Sequence, residues 1–165
     1  MASQKFADRS REGLAIVKML LKAKALPDVK KMGGDNSTAL HDAARRGAFD
    51  IVRLLLKHGA SASETDIFGH TPLHVLASVK NVKDEYRKIS LDIVKILLDA
   101  GADPVALDFA GNPPHFYTCD DDLRMFLKRE DLWRRRRLAC WCRKIEGNDI
   151  NYMLPEHFSK ILKFL

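Results

Sequence analysis

Cysteine is scarce in this chain, and the segments that would send a protein out of the cell or into a membrane are missing. Its only cysteines, Cys119, Cys140 and Cys142, form an odd set late in the chain. That pattern fits a reducing compartment better than a secreted disulfide framework. The start MASQKFADRSREG lacks the basic, then apolar, then small-residue order of a signal peptide, and no apolar run approaches about 18 residues. The cytoplasm or the nucleus is therefore the expected compartment, with no membrane partner. A glycine-rich phosphate loop, G-x-S-x-G and H-E-x-x-H are all absent. No catalytic residue, cofactor or enzymatic activity is expected.

What is present is an ordinary folding composition, 46% hydrophobic and 30% charged over 165 residues. This is enough chain to bury a core without staples. Residues 1–122 hold 17 Lys and Arg against 17 Asp and Glu, whereas residues 123–165 hold 11 against 5. A neutral body thus carries a basic tail, and such a tail suits nucleic acid, an acidic protein or a membrane surface.

The body repeats itself. DIVRLLLKHGASASETDIFGHTPLH at 50–74 is echoed by DIVKILLDAGADPVALDFAGNPPH at 92–115. AIVKMLLKAKALPD at 15–28 and STALHDAARRG at 37–47 are weaker copies, and Thr38 and Thr71 stand 33 residues apart. In IVRLLL the apolar positions Ile51, Val52, Leu54, Leu55 and Leu56 cover most of a helix circumference, as expected of a helix packed on two sides. Gly59 and Gly101 suit the left-handed residue that ends a helix. Thr71-Pro72 is the order of an N-cap and a first helical turn. Each unit therefore reads helix, turn, helix, then a loop with Asp-x-x-Gly, and stacking is needed because one unit cannot bury both faces. About nine extra residues fall in the third unit, within VKNVKDEYRKISL at 79–91. They are expected to lengthen its helices or to bulge as a solvated insertion.

This period, with TPLH opening one helix and IV-x-x-LL the next, resembles the ankyrin repeat over roughly residues 10–118. The resemblance implies an all-α ankyrin-repeat solenoid of about four helix-turn-helix units with loop or β-hairpin tips, followed by C-terminal capping helices. The units would be 10–34 (a truncated first), 35–66, 67–108 and 109–128 (a degenerate last, with NPPHFYT where TPLH would stand), then a tail at 129–165. It also implies that His41 and His74 are structural, hydrogen-bonding within their own repeat and toward neighbours. By the same resemblance, another protein would meet the tips and the exposed face of the first helices. The matching positions are Arg45, Arg46, Thr65, Ile67, Phe68, His70, Ser78, Phe109 and Asn112. Aromatics and Arg are enriched at interface centres, which favours the two Phe as anchors, unless both rings fold back on the neighbouring hairpin.

Three other features bear on function. His115 with Cys119, and Cys140 with Cys142, evoke a zinc site, but residues two apart on a helix point about 200° from each other, so no metal is expected. Asp120, Asp121 and Asp122 before LRMFLK suit a helix N-terminus better than a catalytic pair. In the tail, Leu138, Trp141, Cys142 and Ile145 share a helical face, and Phe158, Ile161, Leu162 and Leu165 form an amphipathic stripe after Leu154-Pro155. A terminal cap is the plain reading. Leu138, Cys142, Leu154 and Pro155 also resemble parts of a SOCS box, and LP before KILKFL resembles an F-box start, which together imply a substrate-recognition subunit of a ubiquitin ligase. Arg134 to Arg137 leave nucleic-acid binding as a further alternative, although four consecutive arginines spread around a helix and no RNA-reading aromatic motif accompanies them.

Overall fold

The computed structural model describes residues 2–32, 34–79 and 84–130. From residue 131 onward the expected tail lies outside the described residues, and with it Leu138, Cys142, Leu154, Pro155, Phe158, Ile161 and Leu162. The array forms one compact unit, Met1–Glu130. Its helices are α1 (Ala2–Lys22), α2 (Ala39–Arg45), α3 (Phe49–Lys57), α4 (Pro72–Ala77), α5 (Asp84–Asp99) and α6 (Pro114–Tyr117). A further helix, α7, covers 121–130.

The order is the repeated pair that the sequence implies. The first helices α2, α4 and α6 stack on one another, and the second helices α1, α3 and α5 form a parallel file behind them. Between the files lie Leu40 and Leu73 from the first helices and Val52, Leu55, Val94 and Leu97 from the second, all buried. Each such side chain contributes about 1.5–3 kcal/mol of hydrophobic stabilisation. The second helix of the first unit shows what the pairing is for. Leu20 of α1 is in register with Leu55 and Leu97, yet it is exposed, as are Ile16 and Met19. Among the described residues no helix holds against α1 the place that α2 and α4 hold against α3 and α5.

Helix ends follow local chemistry. Thr38 and Thr71 sit in extended backbone as N-caps, each in a capping box where the third helical residue, His41 or His74, replaces the usual Glu or Gln. Helices α3 and α5 are followed by glycines with φ of 85° (Gly59) and 94° (Gly101), and at the equivalent place after α1 stands Lys24, with φ 61°. A left-handed lysine gives up the steric freedom that glycine has there.

The insertion lengthens a helix. Helix α5 has 16 residues against nine in α3, and its first turns lie over both neighbouring units. The Tyr86 hydroxyl donates to the Arg45 carbonyl oxygen of the second unit (2.9 Å), and a Cβ added to Gly47 would stand 2.5 Å from the Tyr86 ring. Arg87 pairs with Asp120 ahead of α7 at 3.3 Å. The segment is therefore not simply solvated, because it ties units two and four across the third.

Candidate partner-binding edge

The linkers between units form three successive hairpin tips, although no residue in them is assigned to a strand among those described. A backbone hydrogen bond crosses the base of each tip, Lys31 N–H to Ser37 O (3.0 Å), Asp66 N–H to His70 O (3.0 Å) and Asp108 N–H to Asn112 O (3.1 Å), and in the second and third tips Gly69 N–H to Asp66 O (3.1 Å) and Gly111 N–H to Asp108 O (3.0 Å) tighten the turn. In the second tip, Oδ1 of Asp66 accepts from the N–H groups of Phe68 and His70; in the third, Oδ1 of Asp108 accepts from those of Ala110 and Asn112. The acid of Asp-x-x-Gly thus organises the turn that its glycine permits. Tips are joined in turn, because Ile67 N–H donates to Asp35 O (3.0 Å) and Phe109 N–H to Phe68 O (3.1 Å).

The histidines fasten this edge to the helices. Nδ1 of His41 receives the Thr38 N–H, so its other nitrogen carries the proton and Nε2–H donates to the His70 carbonyl of the next tip at 3.0 Å. His74 repeats the pattern, with Thr71 N–H on Nδ1 and Nε2–H to the Asn112 carbonyl at 3.1 Å. Both rings are buried, and burial pulls both pKa values below the ordinary 6.5, which keeps them in this neutral form. In the last unit Phe116 stands in register with His74, so the series of histidine ties ends there.

A polar cluster holds the second tip to the third. His70 lies between Asp66 (3.4 Å from Nδ1) and Asp108 (3.6 Å from Nε2), with its ring edge-on to Tyr117. The Tyr117 hydroxyl donates to Oδ2 of Asp108. That bond, with the N–H groups of Asn112 and Ala110, holds the Asp108 carboxyl below its ordinary 3.8 and pushes the Tyr117 phenol up. His70 and Asn112, both candidate contact residues by sequence, are thereby engaged in the stack itself.

The other candidates divide by position. Thr65 is half-buried, and its carbonyl takes a hydrogen bond from Lys30 Nζ. Ser78 is exposed at the end of α4, with its hydroxyl turned back to the Val75 carbonyl. Arg45 and Arg46 are exposed on α2 and its C-cap, Arg45 lying 3.4 Å from Asp35. Ile67 is 47%, Phe68 55% and Phe109 78% exposed. The Phe109 ring does lie on its neighbour, since a Cβ on Gly69 would fall 2.7 Å from its Cδ1, but most of its surface still faces solvent. Sequence reasoning missed one member of this row: Met32, on the first tip, is 93% exposed. It was findable, because Met32, Ile67 and Phe109 each stand seven residues after a helix-ending alanine, Ala25, Ala60 and Ala102. The edge therefore presents large apolar side chains on three consecutive tips whose backbones are already hydrogen-bonded. It offers no group of three or more His, Cys, Asp or Glu placed to hold a metal ion among the described residues, and no helix there is long and apolar enough to cross a membrane.

Comparison with known proteins gives this architecture a family. A model of ankyrin repeats matches residues 7–108 in three copies. The chain is 36% identical over 70 residues to the probable 26S proteasome regulatory subunit p28 of Saccharomyces cerevisiae, a match covering 42% of the chain and 31% of that protein. It is 41% identical over 64 residues to ankyrin repeat and SOCS box protein 16 of Mus musculus (39% and 14%). It is 40% identical over 73 residues to the potassium channel AKT2/3 of Arabidopsis thaliana (44% and 9%). In each case the matched region spans less than a third of the relative's length.

Proposed function

The chain belongs to the ankyrin-repeat family, and we propose that it is a protein-binding adaptor that holds its partner along the tip edge and the adjoining outer face of α2. Ankyrin repeats generally mediate protein–protein interaction, and one observation supports this place for it. Ile67, Phe68 and Phe109 are exposed on tips organised by backbone and carboxylate hydrogen bonds, and Met32 is exposed on a first tip closed by the Lys31 N–H to the Ser37 carbonyl. Folding leaves these side chains outside the core, whereas a partner would bury them at an interface centre, with Arg45 and Arg46 beside them.

The test is a parallel capture from native cells with the full chain and with a Phe68→Ala, Phe109→Ala variant. Both proteins fold to similar stability, and the variant loses the bound protein, the loss amounting to about 2 kcal/mol for each Phe that is a hot spot. If the variant unfolds early instead, the rings belong to the core and the contact surface must be sought on Arg45, Arg46 and the inserted segment.

A second reading, substrate recognition for a ubiquitin ligase, draws on the tail motif of Leu138, Cys142, Leu154 and Pro155 and on the likeness of the repeats to those of an ankyrin and SOCS box protein. Co-purification of elongin or a Skp-type adaptor with the full chain, lost on changing Leu154 and Pro155 to Ala, is its distinguishing result.

A further inference from the structure

Resting on the tip-binding reading, we propose that the partner segment is apolar where it crosses the tips and acidic at one end only, the end that lies over the first tip. The equality of charges in the body conceals a division. Residues 1–58 hold 12 Lys and Arg against 6 Asp and Glu, and residues 59–122 hold 5 against 11. The reversal occurs at equivalent places. The last turns of α1 and α3 carry Lys22 and Lys57, whereas α5 ends on Asp99 with no basic residue in its last turn. Lysine is the residue that a helix C-terminus favours, and aspartate is the one that it disfavours. Helix stability therefore does not explain the change of sign at Asp99.

At the first tip the cations have capacity to spare. Lys30 is shared with Glu64 at 3.3 Å and Arg45 with Asp35 at 3.4 Å. Lys31 is exposed with no ion pair among the described residues. Lys31 immediately precedes Met32, the most exposed of the apolar side chains. Screening limits each charge to about 8–10 Å in physiological salt, so each end of the edge addresses only the part of the partner lying over it. Two strands per hairpin at about 4.8 Å spacing put the three tips across about 20 Å, well beyond that reach. A segment with acids at one end is drawn to the Met32 end, and this fixes the direction in which it lies. Charge used in this way sets orientation and association rate more than affinity.

The probe is a display library of random peptides of about 16 residues, long enough to cross the tips either extended or helical, selected on the full chain. The expected outcome is enrichment of peptides with large apolar residues and acids clustered toward one terminus. A Lys30→Glu, Lys31→Glu variant should bind the selected peptides about three- to tenfold more weakly, and Phe68→Ala and Phe109→Ala should each weaken all of them. Enriched peptides that depend on Phe68 and Phe109 but show no acidic bias, or that ignore the two Lys→Glu changes, overturn the polarity and leave tip binding standing. Peptides indifferent to both Phe substitutions, or no enrichment at all, count against tip binding itself.

Discussion

Replacing His74 by alanine tests whether the histidines hold the stack together. The ring is buried, and its removal strips a hydrogen-bond acceptor from the Thr71 N–H and a donor from the Asn112 carbonyl. The Asn112 carbonyl keeps the Asp108 N–H, whereas the Thr71 N–H loses its acceptor, and a buried group left unsatisfied costs about 1–3 kcal/mol. The cavity left by the ring adds to this, so a total near 3 kcal/mol is expected. With a urea dependence of about 2 kcal/mol per M, that loss lowers the unfolding midpoint by about 1.5 M. The assay is urea denaturation followed by far-UV circular dichroism, with partner binding measured on the same preparations. Retention of the wild-type midpoint together with loss of binding would refute the argument, because it would make His74 a contact residue and not a tie between the α4 N-terminus and the next tip.

Three further outcomes follow from the same contacts. Burial holds His41 and His74 below 6.5, so the unfolded chain binds more protons in that range; stability should be level above about pH 7 and fall as the pH drops below 6.5, with a shallower fall in His74→Ala, measured as urea midpoint against pH. Gly69→Ala should cost about 1–3 kcal/mol, since φ is 80° and the new Cβ would stand 2.7 Å from the Phe109 backbone nitrogen, and the loss should appear in thermal unfolding. Tyr86→Phe should cost about 1 kcal/mol by removing the bond to the Arg45 carbonyl, and an unchanged melting temperature would mean that the lengthened α5 does not brace the second unit.

The parts of this molecule legible in its sequence are those set by short-range chemistry. Thr38 and Thr71 as caps and Gly59 and Gly101 as helix ends follow from residues at most a few positions away, whereas the structural role of His41 and His74 is what the resemblance to the ankyrin repeat implies. The insertion shows the opposite case. Its nine extra residues announce length, but nothing in VKNVKDEYRKISL says that Tyr86 will close over Gly47, a contact between residues 39 apart that only the stacked helices bring together. Met32 was hidden for a different reason. The first tip is two residues longer than the others, so counting from Thr38 puts it out of register, while counting from Ala25 puts it in line with Ile67 and Phe109. In sequence, His70 and Asn112 look like surface residues because they occupy tip positions. Their carbonyls receive the buried histidines, a role that depends on the neighbouring unit.

The division of labour within each tip also explains how one edge serves both folding and recognition. Turn shape is fixed by Asp66, Asp108 and the positive φ of Gly69 and Gly111, and attachment to the helices by backbone carbonyls and the two histidines. None of these interactions uses the side chains of Ile67, Phe68 or Phe109, which are free to be chosen for a partner at small cost to the stack. A hydrogen-bonded tip has less backbone left to order on binding than an unbonded loop, and Phe has only two side-chain torsions to fix, so affinity gained there is not largely returned as immobilisation cost. Proteins named as a proteasome regulatory subunit, a SOCS box protein and a potassium channel share these repeats with the chain. That breadth is what such a separation permits, because the residues that make the array are not the ones that choose what it holds.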